Sequence, residues 1–268
     1  MNILVIGGGN MGKTFAESFL NAHIIRKDQL HILEKDKLRV EMLNQYNIGV
    51  AHYETGDYIR EMDIIILAVK PQDIQTLYPL IQPYLHPEQI VLSIMAGIKM
   101  ESIQRSLGAE RIVRAMPNLP CQVGMGVTAY TASPKVPSKD IAFIQLLLET
   151  TGLAIQLSRE EMLDAITAVS GSGPAYVFYF MDAMITAARQ MGFTQEEATQ
   201  LTTQTFLGSI ELFNKNTISC EQWIERVASK GGTTEAALKV FNAHEVKEGI
   251  IEGLHSAQKR GVELSKNG

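Results

Sequence analysis

The chain begins Asn2-Ile3-Leu4-Val5-Ile6 and turns at once into Gly7-Gly8-Gly9-Asn10-Met11-Gly12. An apolar strand without polar alternation belongs in a parallel sheet covered on both faces. A Gly-x-Gly-x-x-Gly turn at its carboxyl end, followed by a helix over roughly Met11–Asn21 (Phe15, Ala16, Phe19 and Leu20 at helical spacing), spells the first βα unit of a dinucleotide-binding fold. Gly7 takes the tight turn, Gly9 lets the backbone approach a pyrophosphate, and Gly12 lets the helix lie close to the strand. The first helical amides and the helix dipole then face the phosphates.

The pattern that follows alternates strand and helix. Gln29–Leu33 reads as a second strand ending at Glu34, the position that meets the adenine-side ribose. An acid there accepts a 2′-hydroxyl, whereas the neighbouring Lys35, Lys37 and Arg39 suit a 2′-phosphate, so the choice between NADH and NADPH stays open at this point. The surface helix after Glu34 is expected to turn Leu38, Met42 and Leu43 inward. Asp63–Val69 is a further apolar strand, closed by Lys70-Pro71 ahead of a helix from about Asp73. Because ligands of open α/β sheets bind at the carboxyl ends of strands, Val69, Lys70 and Pro71 should border the cofactor. Strands over Gln89–Ile94 and Arg111–Met116 run into Met95-Ala96-Gly97 and Pro117-Asn118-Leu119-Pro120. Met95, Ala96 and Gly97 are placed to admit a nicotinamide ring. Helices over about 99–107 and 139–151, the second capped by Ser138 and closed by Gly152, and a short strand over Ala154–Leu157 complete the first domain, expected over 1–158.

From Ser158 no strand pattern remains, and 159–268 is expected to be an all-helical domain. Ser158…Glu161, Thr194…Glu197 and Ser219…Gln222 each spell a capping box that opens a helix. Ser170-Gly171-Ser172-Gly173-Pro174 precedes a long helix to about Met191 whose apolar residues (Val177, Phe178, Met181, Met184, Ile185, Ala188) spread over several sides, which suggests a second subunit. Ser229-Lys230-Gly231-Gly232-Thr233-Thr234 leads into another helix. Its amides and hydroxyls make either an anion site fit for a carboxylate or a plain helix cap.

Charge narrows the partners. With a net charge of -5, 20% charged residues and no basic block, the chain is not built for nucleic acid or an anionic membrane, and a small substrate is expected. Met1 leads directly into the first strand without a basic leader or an apolar run near membrane length, which predicts a cytoplasmic protein. Cys121 and Cys220 are too few for a disulfide framework, and the 6 histidines are scattered, so no metal site is expected.

Taken in order, Gly7-Gly-Gly-Asn-Met-Gly12, Ala68-Val-Lys-Pro71, Arg114-Ala-Met-Pro-Asn118, Ser170-Gly-Ser-Gly-Pro-Ala-Tyr176 and Ser229-Lys-Gly-Gly-Thr-Thr234 resemble the motifs of the pyrroline-5-carboxylate reductase family across nearly the whole chain. The resemblance implies a fold of α/β class, a Rossmann-like dinucleotide-binding domain followed by an all-helical dimerisation domain, with dimers gathered into decamers in some members. It implies reduction of 1-pyrroline-5-carboxylate to L-proline by NADPH or NADH, the last step of proline synthesis, with the substrate between the nicotinamide and a helical domain completed by the partner. Cofactor contacts are carried over to Gly7, Gly8, Gly9, Asn10, Met11 and Gly12, to Glu34, Lys35 and Thr55, to Ala68, Val69, Lys70 and Pro71, to Met95, Ala96 and Gly97, and to Asn118. The substrate carboxylate is expected on Ser229, Gly231, Gly232 and Thr233, with the Thr234 hydroxyl facing the ring nitrogen as a conduit to water.

Three departures accompany the likeness. Lys230 replaces a usual Pro, Thr55 stands near a usual Asn, and Glu34-Lys35 replaces a neutral or Arg-containing turn. A β-hydroxyacid dehydrogenase would carry a lysine on the long helix, and Gly171–Ala188 has none. A non-catalytic NAD(P)-binding regulator and a reductase of a related six-membered cyclic imino acid are the remaining alternatives.

Overall fold

The structure is a computed structural model that describes residues 1–267, with side chains through Ser265. It divides into two compact units, residues 1–172 with 257–268, and 173–256.

The first unit is built on strand β1, Ile3–Ile6, buried along its whole length. The sheet has eight strands in the order β3-β2-β1-β4-β5-β6-β7-β8. These are β2 Leu30–Leu33, β3 Val50–His52, β4 Ile64–Leu67, β5 Ile90–Ser93, β6 Ile112–Met116, β7 Gly126–Ala132 and β8 Gly152–Gln156. β1 to β6 are parallel, β7 pairs antiparallel with β6, and β8 runs parallel to β7. Side-chain alternation splits the core in two. Ile3, Val5, Ile64 and Ile66 pack with Phe15, Ala16 and Phe19 of helix α1 (Asn10–Asn21) and with Ile144, Leu147 and Leu148 of α5 (Ser138–Glu149). Leu4, Ile6, Ile65 and Leu67 pack with Ile74, Tyr78 and Ile81 of α3 (Ile74–Ile81) and with Ile103 and Leu107 of α4 (Met100–Leu107). Both faces are covered, as the unbroken apolar strands require. The unit is the Rossmann-like domain that the first twelve residues foretell.

Three local expectations are corrected, and two strands were not expected. α2 (Lys37–Gln45) buries Val40 and Leu43, leaving Leu38 70% exposed and Met42 50% exposed, because its contact stripe is set by the register after Asp36 caps it. The 158–161 spelling is no capping box, since α6 (Met162–Ile166) begins only after it; the Glu160 carboxylate is drawn instead to buried Arg114, at 2.9 Å. α5 starts at Ser138 with Pro137 before it and no side-chain cap. Strands β3 and β7 carry no unbroken apolar run. β7 buries Thr128 and Thr131, so its polarity hides it, although its threonines and Tyr130 favour extended chain.

After α6 the backbone widens into a π turn, Thr167–Gly171. The second unit holds α7 (Gly173–Gln190), α8 (Gln195–Asn214), α9 (Cys220–Val227), α10 (Thr233–Ala243) and most of α11 (Val246–Asn267). The capping boxes at Thr194 and Ser219 form as spelled. Among the described residues of this unit, Ala198 and Thr202 are the buried ones. Helices of this length with so little covered surface have no core of their own. No helix of the described residues is long and apolar enough to cross a membrane.

Candidate functional site

Strand order reverses between β1 and β4, and a cavity of about 690 Å³ opens at their carboxyl ends. That is the switch point at which open α/β sheets bind ligands. Gly7, Gly9, Glu34, Lys35, Thr55, Ala68, Val69 and Lys70 of the expected cofactor residues line it.

The glycines divide the work as their spacing predicts. Gly7 has φ +106°, and a Cβ on it would lie 2.7 Å from the Ala68 carbonyl oxygen. A Cβ on Gly12 would lie 2.0 Å from the Gly7 carbonyl oxygen. Gly9 differs, because a Cβ there would meet only the Arg39 Nη1, at 3.9 Å. Protein packing therefore explains Gly7 and Gly12, whereas the space over Gly9 is left for something the chain does not supply. Gly9 is also the N-cap of α1 and has no side-chain partner for the first helical amides, those following it at Asn10 and Met11. A dinucleotide pyrophosphate fits this cradle.

Glu34 is only 6% exposed. Its Oε2 accepts the Gly8 amide at 2.9 Å and its Oε1 accepts the Asp36 amide at 2.9 Å. Arg39 approaches from outside, Nη1 3.8 Å from Glu34 Oε2 and Nε 3.8 Å from Asp36 Oδ2. Lys35 pairs with Asp73 across 3.2 Å, and the Lys37 ammonium lies 4.9 Å from the Tyr53 ring centroid. The cation cluster of the sequence is thus distributed over separate partners.

Another wall of the cavity is the Tyr53–Thr55 segment. Tyr58 donates to the Glu54 carbonyl at 3.0 Å and stacks on His52 with centroids 3.7 Å apart. His52 in turn shares a 2.9 Å hydrogen bond with His31. Burial pushes both imidazole pKa values down; at His31 the Asp28 backbone and the Glu61 charge oppose this, and at His52 the neighbouring His31 adds to it.

Pro71 opens a short 3₁₀ turn beside the cavity. Met95 is buried, and Gly97 (φ +76°) packs against Leu264, with 3.5 Å between a Cβ there and the Leu264 Cβ. Asn118 is placed among protein groups: its Nδ2 donates to the Ser170 carbonyl at 3.2 Å and its Oδ1 accepts the Val127 amide at 2.9 Å. It braces the end of β6 against the π turn. Cavity residues that the sequence did not single out include Tyr53, Glu54, Asp73, Thr76, Leu77 and Leu80. The last three sit one helical turn or less apart on α3, a spacing visible only once the cavity side of that helix is known.

In the second unit, Ser229 to Gly232 form a tight loop before α10. Gly231 has φ +73°, and the Ser229 hydroxyl lies so near Gly232 that a Cβ there would be 2.6 Å from its Oγ. The Gly232 amide donates to the Ser229 carbonyl at 3.0 Å, and the Gly231 amide donates to the carboxylate of Glu235. That bond holds the Glu235 pKa below the usual range, with help from Lys239. The loop accepts a carboxylate, and here the carboxylate is the chain's own. Thr233 and Thr234 form the first turn of α10, whose amides have no intrahelical acceptor. Lys230 is exposed.

The chain is similar to known proteins over nearly its whole length. Residues 160–264 match the model of pyrroline-5-carboxylate reductase dimerisation, and residues 2–97 match that of coenzyme F420-dependent NADP oxidoreductases. The curated pyrroline-5-carboxylate reductase of Pseudomonas aeruginosa is 34% identical, covering 98% of this chain and 97% of its own. Pyrroline-5-carboxylate reductase 2 of Bacillus subtilis is 32% identical over 97% and 94%. Among solved structures, the Coxiella burnetii pyrroline-5-carboxylate reductase superposes with a TM-score of 0.89 at 33% identity, over 98% of both chains. The Plasmodium falciparum pyrroline carboxylate reductase, solved with NADP bound, gives 0.89 at 28% identity, over 99% of this chain and 98% of its own.

Proposed function

The chain belongs to the pyrroline-5-carboxylate reductase family, and from that premise we propose how its own residues carry out the reduction of 1-pyrroline-5-carboxylate to L-proline by NADPH or NADH, the closing step of proline biosynthesis. The observation that carries the reading is the pairing of two cradles on one chain: the open backbone over Gly9 and the carboxylate-accepting loop at Gly231.

When bound, the reduced nicotinamide supplies the hydride for the carbon of the substrate's C=N bond. Everything else falls to the protein. The Gly7–Gly12 loop and the first amides of α1 hold the pyrophosphate, with Val69, Lys70 and Pro71 and then Met95, Ala96 and Gly97 along the strand ends beyond it. Ser229, Gly231, Gly232 and Thr233 hold the substrate carboxylate, which exchanges with that of Glu235 at the Gly231 amide. Thr234 places its hydroxyl at the ring nitrogen. A protonated imine is much the better electrophile, so orientation and stabilisation of that charge supply most of the acceleration. A threonine hydroxyl is a weak acid, and its part is to pass a proton between nitrogen and water.

The functional division runs at 158/159, close to the start of the dimerisation match at 160. The enzyme self-associates through the helical region, as a homodimer and in a decamer of five dimers, and works in the cytoplasm. A six-membered cyclic imino acid is the second substrate reading, since the same carboxylate and nitrogen contacts would serve it.

Thr234→Val tests the assignment. Turnover of pyrroline-5-carboxylate should fall by about 10²-fold, the size of a lost positioned proton-transfer group, while the equilibrium Kd for the coenzyme stays at the wild-type value. Loss of coenzyme binding instead would give the loop a different task.

A further inference from the structure

Glu34 stands at the end of β2, where an acid in a dinucleotide fold reads the adenosine ribose. Its carboxylate borders the cavity, but both of its oxygens are taken by the backbone. Each oxygen holds a backbone amide, Gly8 on one side and Asp36 on the other, both at 2.9 Å, with the group 6% exposed. A Cβ on Gly8 would lie 3.3 Å from Glu34 Oε2 and 3.0 Å from a Leu43 methyl, so the loop is closed down on it. Glu34 therefore fastens the glycine loop to the start of α2.

The surrounding cations are unequal. Lys35 is drawn to Asp73 and Lys37 to Tyr53. Arg39 is half exposed, and its two carboxylate neighbours lie at 3.8 Å, beyond hydrogen-bond length. Its charge is held in place while its N–H groups are not used up by those carboxylates. Nη1 would lie 3.9 Å from a Cβ on Gly9, at the margin of the open space there. A planar guanidinium so placed, beside the end of β2, matches the two-oxygen geometry of a phosphate.

We propose that Arg39 takes the ribose 2′-phosphate of NADPH and sets the coenzyme preference, and that Glu34 is a strut of the glycine loop with no part in the choice. The proposal rests on the reductase reading for its purpose, yet it is tested by coenzyme binding alone, so that failure to turn over pyrroline-5-carboxylate and failure of this assignment are separate results.

The experiment is calorimetric titration of NADPH and NADH into the wild-type enzyme, Arg39→Ala and Glu34→Gln, with melting temperatures recorded in parallel. Arg39→Ala should weaken NADPH by about tenfold or more and NADH by less than about threefold, as loss of a phosphate-specific charge contact requires. In Glu34→Gln a side-chain N–H meets one of two backbone N–H groups, so both affinities and the melting temperature should fall while the NADPH-to-NADH ratio stays within about twofold. Equal weakening of both coenzymes in Arg39→Ala, or no weakening, would overturn the role of Arg39. A ratio that swings about tenfold toward NADPH in Glu34→Gln would return the ribose to Glu34. Should Glu34→Gln not fold, the exposed Arg39 variant decides the proposal by itself.

Discussion

Gly9 and Gly12 are three residues apart, and the same substitution should do different things to them. At Gly12 a methyl group would meet the Gly7 carbonyl oxygen at 2.0 Å and Ala68 Cβ at 3.2 Å, so Gly12→Ala forces strand and helix apart and should cost about 3 kcal/mol of stability. At Gly9 the space is open and the backbone, with φ -70°, suits any residue. Gly9→Ala should therefore melt within a few degrees of wild type and, on the proposed placement of the pyrophosphate over Gly9, bind coenzyme about tenfold more weakly. Thermal melts and coenzyme titrations on the two variants check both, and equal behaviour would refute the division of roles. These glycines were readable from spacing. Glu34 was readable only as a position, since sequence places a carboxylate at a strand end without saying which way it turns. Asn118 shows the same gap, because both ends of its amide are taken by Ser170 and Val127, partners 52 and 9 residues away.

At the scale of elements, the strands spelled as unbroken apolar runs were legible, and short or threonine-rich strands were not. β1 and β4 are unbroken apolar runs, whereas three-residue β3 lies at the sheet edge and β7 hides threonines in the core. The β2–β3 edge carries a pH dependence that no motif announces. His31 and His52 share one hydrogen bond, and burial lowers both imidazole pKa values. Their folded pKa values lie below the unfolded value of about 6.5, so the unfolded chain binds more protons as pH falls. The stabilising contribution is then complete above that pH and is lost on acidification through the folded pKa values. Denaturant midpoints measured from neutral pH downward should decline below about pH 6.5, and His31→Gln with His52→Gln should flatten that decline. An unchanged slope would show that the pair does not titrate with folding.

The whole molecule pairs a unit with two packed cores and a unit with almost none. Phe178, Phe213 and Phe241 are 57%, 45% and 53% exposed on α7, α8 and α10, apolar surface of the kind that marks a contact site, within the residues that match the dimerisation model. The many-sided pattern of α7 made this legible in sequence; the arrangement of the copies was not, because it depends on shape rather than spacing. Ala183 is exposed on α7, and Ala183→Arg places a charge on that face. It should lower the sedimenting mass at micromolar concentration, and a parent protein that is itself monomeric would contradict the interface. The central claim, that this assembly moves hydride from a nicotinamide to a cyclic C=N bond, is tested most directly by isotope. Pyrroline-5-carboxylate incubated with NADPH deuterated on the transferred face of its nicotinamide should yield proline one mass unit heavier, with the label on the ring carbon of the former C=N bond. Unlabelled proline, or coenzyme bound and left unoxidised, would contradict it.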